Sequence, residues 1–159
     1  MNGNDRPDHN IPSHEPSDVR SARSGYVGPA KWTCWIVGAV FLLLALMGFA
    51  SSDDMVMGVF MVNALHNLVH LVSGLVLLTI GFMAESVARA TAWTFAAIYG
   101  IVMLLGFAGV DPAVELLHLN IADNWLHLTL TLLLAAGALL SHAQARSMAG
   151  RQIGTHRRA

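Results

Sequence analysis

The sequence predicts an all-α, polytopic membrane protein with four transmembrane helices, arranged as two parallel-repeat helical hairpins. Three observations lead there. Four long windows carry no charge, every Lys and Arg falls on one side of the resulting four-span scheme, and one polar block occurs twice in register.

The 159 residues are 55% hydrophobic and only 12% charged, whereas an ordinary soluble domain carries about 25% charged residues. Asp, Glu, Lys and Arg are absent from Trp32 to Ser52, Met55 to Ala84, Ala90 to Val110 and Asn124 to Ala145. About 20 apolar residues cross the hydrocarbon core, so each window supplies one crossing. A soluble bundle would show a charged face on each helix. Runs such as Phe41 to Leu46 and Ile101 to Leu105 have no solvated side. The formal net charge of −1 gives no electrostatic footprint for nucleic acid.

Taken in chain order, residues 1–30 hold Pro7, Pro12, Pro16 and Pro29 among polar residues and read as a disordered tail. The membrane domain spans 31–145, with crossings at about 33–51, 65–84, 91–109 and 124–141. Gly48 to Ser51 loosely suits a signal-peptide cleavage site. The charged leader is too long and the apolar stretch too extended for one, so the first crossing reads as a retained anchor. The single Cys34 excludes an intrachain disulfide and a multi-cysteine metal site, and reads as a small buried residue. Ala92, Ala96 and Gly100 give the third crossing a small-residue face, for a helix of this chain or of a partner subunit. Residues 146–159 form a basic tail with no more structure than the first 30.

Arg6, Arg20, Arg23 and Lys31 precede the first crossing. Arg89 lies between the second and third, and Arg146, Arg151, Arg157 and Arg158 follow the fourth. Positive residues stay on the cytoplasmic side, which puts both termini in the cytoplasm. Trp32 and Trp35 then mark the inner interface and Trp125 the outer one.

The block from Asp54 to His70 aligns without a gap on the block from Asp111 to His127. Asp54, Asn63, Asn67 and His70 fall on Asp111, Asn120, Asn124 and His127, with His66 opposite Asp123. Two copies of one hairpin, related by an axis along the membrane normal, account for this. The axis would bring the second and fourth crossings towards each other. Asp111-Pro112 suggests an N-cap followed by proline, opening a short interfacial helix to about Leu119 whose Val114, Leu117 and His118 lie on the membrane. The first copy lacks the proline, and Gly58 weakens its helix.

The blocks Asn63-Ala64-Leu65-His66-Asn67-Leu68-Val69-His70 and Ala122-Asp123-Asn124-Trp125-Leu126-His127 resemble those of a bacterial membrane family called domain of unknown function 4383. The resemblance runs from about Lys31 to His142. It implies a small four-helix protein of the bacterial cytoplasmic membrane, and no activity, substrate or cofactor.

Asn63, His66, Asn67 and His70 share one helix face, extended by Ser73 and Gly74. Asn120, Asp123, Asn124 and His127 repeat it, with Thr131 deeper. Polar groups at membrane depth turn inward, so both stripes should face the bundle interior. On the favoured reading the stripes are structural: the asparagines cap helices, and His70 and His127 hydrogen-bond between helices in a structural or accessory protein without a cofactor. On the alternative, His66, His70, Asp123 and His127 bind a metal in a redox or sensing protein, with thioethers Met55, Met57 and Met61 nearby. A third variant has His70 and His127 ligate one non-covalent haem. Ionisable groups stop short of the other face, so no full proton relay is visible. No nucleophile motif or phosphate loop points to an enzyme. His9, His14, His142 and His156 read as bystanders in the tails or at the inner edge. The expected partner is the bilayer, with a second copy or another membrane protein left open.

Overall fold

The computed structural model describes residues 27–156. The expected tail over the first residues lies outside them up to residue 26, as do 157–159. The described chain runs α1 (Pro29–Ala50), β1 (Met55–Val56), β2 (Phe60–Met61), α2 (Ala64–Gly81), α3 (Glu85–Phe107), α4 (Asp111–Leu117) and α5 (Ile121–His156). Among the described residues, four helices are long and apolar enough to cross a membrane: α1, α2, α3 and the stretch Ile121–Ala149 of α5. Their outward faces are apolar, with Leu43 59%, Leu104 63% and Leu132 60% exposed on the bare chain. Side chains of this kind are at home against lipid.

The helices start earlier than hydropathy alone suggests, for local reasons. Pro29 opens α1, where its fixed φ suits the first turn and its missing N–H costs nothing. The remaining donors of that turn are met from another helix. Gly28 N–H and Lys31 N–H donate to Glu85 Oε2 at 3.1 and 3.3 Å, and Ala30 N–H donates to Oε1 at 2.9 Å. Glu85 is also the first residue of α3, where a carboxylate suits the positive end of the helix dipole. α5 continues as a helix through Arg146 and Arg151 to His156, where the sequence suggests an unstructured tail. No proline interrupts it, and Ala143, Gln144, Ala145, Met148 and Ala149 are good helix formers.

The four long helices form a ring in the order α1, α2, α3, α5. α1 packs on α2 and α3 on α5 most extensively, α1 also packs on α5, and α2 touches α3 only lightly. In the first hairpin the backbones meet at glycines: a Cβ on Gly38 would lie 3.0 Å from the Gly74 carbonyl oxygen, and one on Gly74 would lie 2.9 Å from that of Gly38. This is the small-residue contact typical of membrane helices. Ala92 and Ala96 are buried in the core cluster with Leu130 and Leu134 of α5, and Thr131 lies over Gly100, so this face is used within the chain. Cys34 is buried, its thiol 3.7 Å from the Ala88 carbonyl.

α2 and α5 face each other across the bundle diagonal, as the repeat suggests, and side chains alone bridge them, with His70 and His127 6.0 Å apart. Two other expectations need correcting. The stretch after Asp54 is a β-hairpin, Met55 opposite Met61, because Met57 and Gly58 both take positive φ, as a tight hairpin turn requires. α4 forms as expected, but Val110 is its N-cap and Asp111 its first residue, with no side-chain cap. Its Leu117 turns towards the bundle and lines a cavity there, leaving Leu116 exposed.

Glu85→Ala removes the acceptor for three backbone donors at once. The expected cost is about 1–3 kcal/mol of stability, seen as a lower Tm in mild detergent, with Glu85→Gln intermediate. An unchanged Tm in Glu85→Ala would show that the clamp contributes nothing.

Candidate functional site

Asn63 and Asn120 precede α2 and α5 and cap them. Asn63 Oδ1 accepts from the His66 N–H at 2.8 Å, and Asn120 Oδ1 accepts from the Asp123 N–H at 2.9 Å. In the second case the Asp123 carboxylate returns the bond, accepting from the Asn120 N–H at 3.0 Å. This reciprocal arrangement is a capping box. The two carboxamides then cross over. Asn63 Nδ2 donates to the Leu116 carbonyl at 2.9 Å, and Asn120 Nδ2 donates to the Val59 carbonyl at 2.7 Å. In the gapless alignment Asn63 matches Asn120 and Val59 matches Leu116, so the two bonds are equivalent exchanges between the hairpins.

Asn67 and Asn124 are buried beneath these caps. Their carboxamides occupy the space that a Cβ on Gly48 or Gly106 would need, respectively. Glycine is required at both positions for the helices to approach so closely.

Deeper still, His66, His70 and His127 come together. All three are buried, and one ring nitrogen from each lies within 4.8 Å of the others. Ring centroids are 4.4 Å apart for His66 and His70, and 6.0 Å from each of these to His127. None of their six ring nitrogens has a protein hydrogen-bond partner. His66 faces the carbonyls of Met61 and Leu117, short of hydrogen-bond geometry. Asp123, placed with these histidines on sequence grounds, is not in the group; its carboxylate serves the cap of α5. Met55 and Met57 line a separate surface pocket with Met47, and Met61 is not among its lining residues.

Below the histidines sit two aromatic rings that sequence reasoning missed. Phe41 stacks on His70 at 4.9 Å and on Tyr99 at 4.6 Å, and Tyr99 lies 5.4 Å from His127. The signal was present: the spacing that carries Gly48 to Gly106 also carries Phe41 to Tyr99, one residue longer than the spacing of the polar blocks. The Tyr99 hydroxyl donates to Ser73 Oγ at 2.7 Å. A cavity of about 140 Å³ adjoins the three histidines, Ser73 and Tyr99.

Four apolar helices around a buried, inward-facing polar centre define a multi-pass membrane protein. Residues 31–140 match the family described as a domain of unknown function, DUF4383, and the chain belongs to that family. No curated protein and no solved structure matches it.

Asn63→Ala and Asn120→Ala each remove a cap and a cross-hairpin bond. Each should cost about 1–2 kcal/mol, read as a fall in Tm. Asn63→Asp keeps the cap acceptor but loses the amide donor, so it should fall between wild type and Asn63→Ala. Equal Tm for Asn63→Asp and wild type would show the crossing bond to be idle.

Proposed function

We propose that this protein binds a first-row transition-metal ion in the interior of a lipid bilayer, with His66, His70 and His127 as its ligands. The observation that carries this reading is the group of three buried histidines from two helices, none with a protein hydrogen bond to its ring, whose nearest nitrogens, one from each, lie within 4.8 Å of one another. Buried polar groups are normally hydrogen-bonded, and leaving one unpaired costs about 1–3 kcal/mol. Three neutral imidazoles directed at one point suit zinc, copper or iron. A cavity of about 140 Å³, lined by the rings of Phe95 and Tyr99, favours an ion over a porphyrin between His70 and His127.

The structural reading divides along the same stripe. Helix locking is supported at Asn63 and Asn120, whose carboxamides bridge the hairpins. It has no such support at the histidines. Those two equivalent bonds also favour the chain's origin as two copies of one hairpin. Such an ion in a locked scaffold fits metal-dependent sensing, or redox chemistry where the ion is copper or iron, since zinc has no redox chemistry.

The positive charges support an orientation. All nine Lys and Arg residues fall on one side of the four spans, which puts both termini in the cytoplasm and the asparagine caps at the outer face.

Two measurements test this. Protein purified in mild detergent and reconstituted with zinc or copper should hold near-stoichiometric metal, lost in His70→Ala and in His127→Ala. Wild-type protein without retained metal would defeat the proposal, and a Soret band after haem reconstitution would replace it with haem ligation. For orientation, single cysteines at Ser52 and Pro112 in a Cys34→Ala background should label from outside intact cells, and one at Ser86 or Ser147 should not. Labelling of Ser86 from outside would sink the both-ends-in scheme.

A further inference from the structure

The cavity beside the histidines lies in the flank of the bundle. Val69 and Ser73 of α2 form one wall, and Ile98, Tyr99 and Val102 of α3 form the other. Phe95 of α3 and Leu117 of α4 complete the lining. The two seams of the ring are unequal: α1 packs closely on α5, while α2 touches α3 only lightly. Two wall residues are also surface residues, Val69 at 37% and Ile98 at 50% exposed. The cavity therefore opens sideways, where the membrane's hydrocarbon would be.

On the reading of the three histidines as a metal site, we propose that the ion's remaining coordination position faces this lateral opening. It takes a small uncharged ligand that dissolves in hydrocarbon and enters from the bilayer between α2 and α3. Size and polarity both set the class. A dry cavity of about 150 Å³ holds a benzene ring, and this one is about 140 Å³. Its walls are aliphatic and aromatic apart from the histidines and the Tyr99–Ser73 pair. The ion itself would attract an anion, but the way in crosses hydrocarbon, where an anion loses its hydration before it reaches that charge. Tyr99 donates to Ser73, which leaves the Ser73 proton free to turn towards an acceptor atom on the ligand.

The test uses the full chain in lipid nanodiscs, loaded with cobalt(II), whose visible bands report its coordination. Imidazole, at a pH where it is uncharged, is the neutral probe, and azide is the anionic one. Imidazole should shift the bands within the time of mixing, and azide should do so far more slowly. Ile98→Trp places an indole at the mouth without touching a histidine. It should keep full cobalt binding but weaken the imidazole effect by about tenfold or more, while Ile98→Ala should bind imidazole at least as well as wild type. An imidazole response unchanged in Ile98→Trp, or an azide response as fast as that of imidazole, would overturn the lateral opening and leave the metal site standing. Absence of cobalt bands in the wild-type protein before any probe is added would overturn the metal reading, and this inference with it.

Discussion

Six imidazole nitrogens buried without a protein partner are the constraint on which the rest of this structure turns. A neutral imidazole brings one donor and one acceptor, and an apolar interior answers neither. In most membrane bundles such groups meet across helices and hold them together. Here three of them meet one another instead. The proposed metal ion would answer one nitrogen of each ring, accepting a lone pair from all three at once.

Holding such a group in place requires stability from elsewhere, and the surrounding contacts are placed to supply it. On one side of the histidines the cap asparagines of α2 and α5 exchange carboxamide bonds between the hairpins. On the other, Phe41 and Tyr99 stack between the diagonal helices α1 and α3. At the far end of α1, Glu85 of α3 gathers three backbone donors. Each of these contacts joins the first hairpin to the second. The pairing within each hairpin is of a different kind, close backbone approach at small residues such as Gly38 and Gly74. The polar group thus sits in a frame that is cross-linked above and below it. Only the α2–α3 seam is left light.

Much of this is legible in the sequence, and the reasons are physical. Hydropathy finds the four crossings because lipid demands a long apolar run from each. The paired polar blocks expose the equivalent positions, since a helix places residues three and four apart on one face. What the sequence conceals depends on the third dimension. Asp123 and His66 occupy equivalent positions, yet one caps a helix and the other joins the histidines, a choice made by local backbone donors. The β-hairpin at Met57-Gly58 and the helix at Asp111-Pro112 diverge because glycine and proline impose different φ values. Phe41 and Tyr99 looked like ordinary apolar filling until the bundle placed them beside His70 and His127. The clamp at Glu85 leaves no local pattern, because its partners lie more than fifty residues away.

Whether three imidazoles share one ion is measured by X-ray absorption on the zinc-loaded protein. The expected result is a nitrogen shell at about 2.0–2.1 Å, with outer-shell scattering from three imidazole rings. A shell containing sulfur, which would place the ion at the surface pocket of Met47, Met55 and Met57, would contradict it. So would a shell of oxygens alone, which would place it on the surface carboxylates.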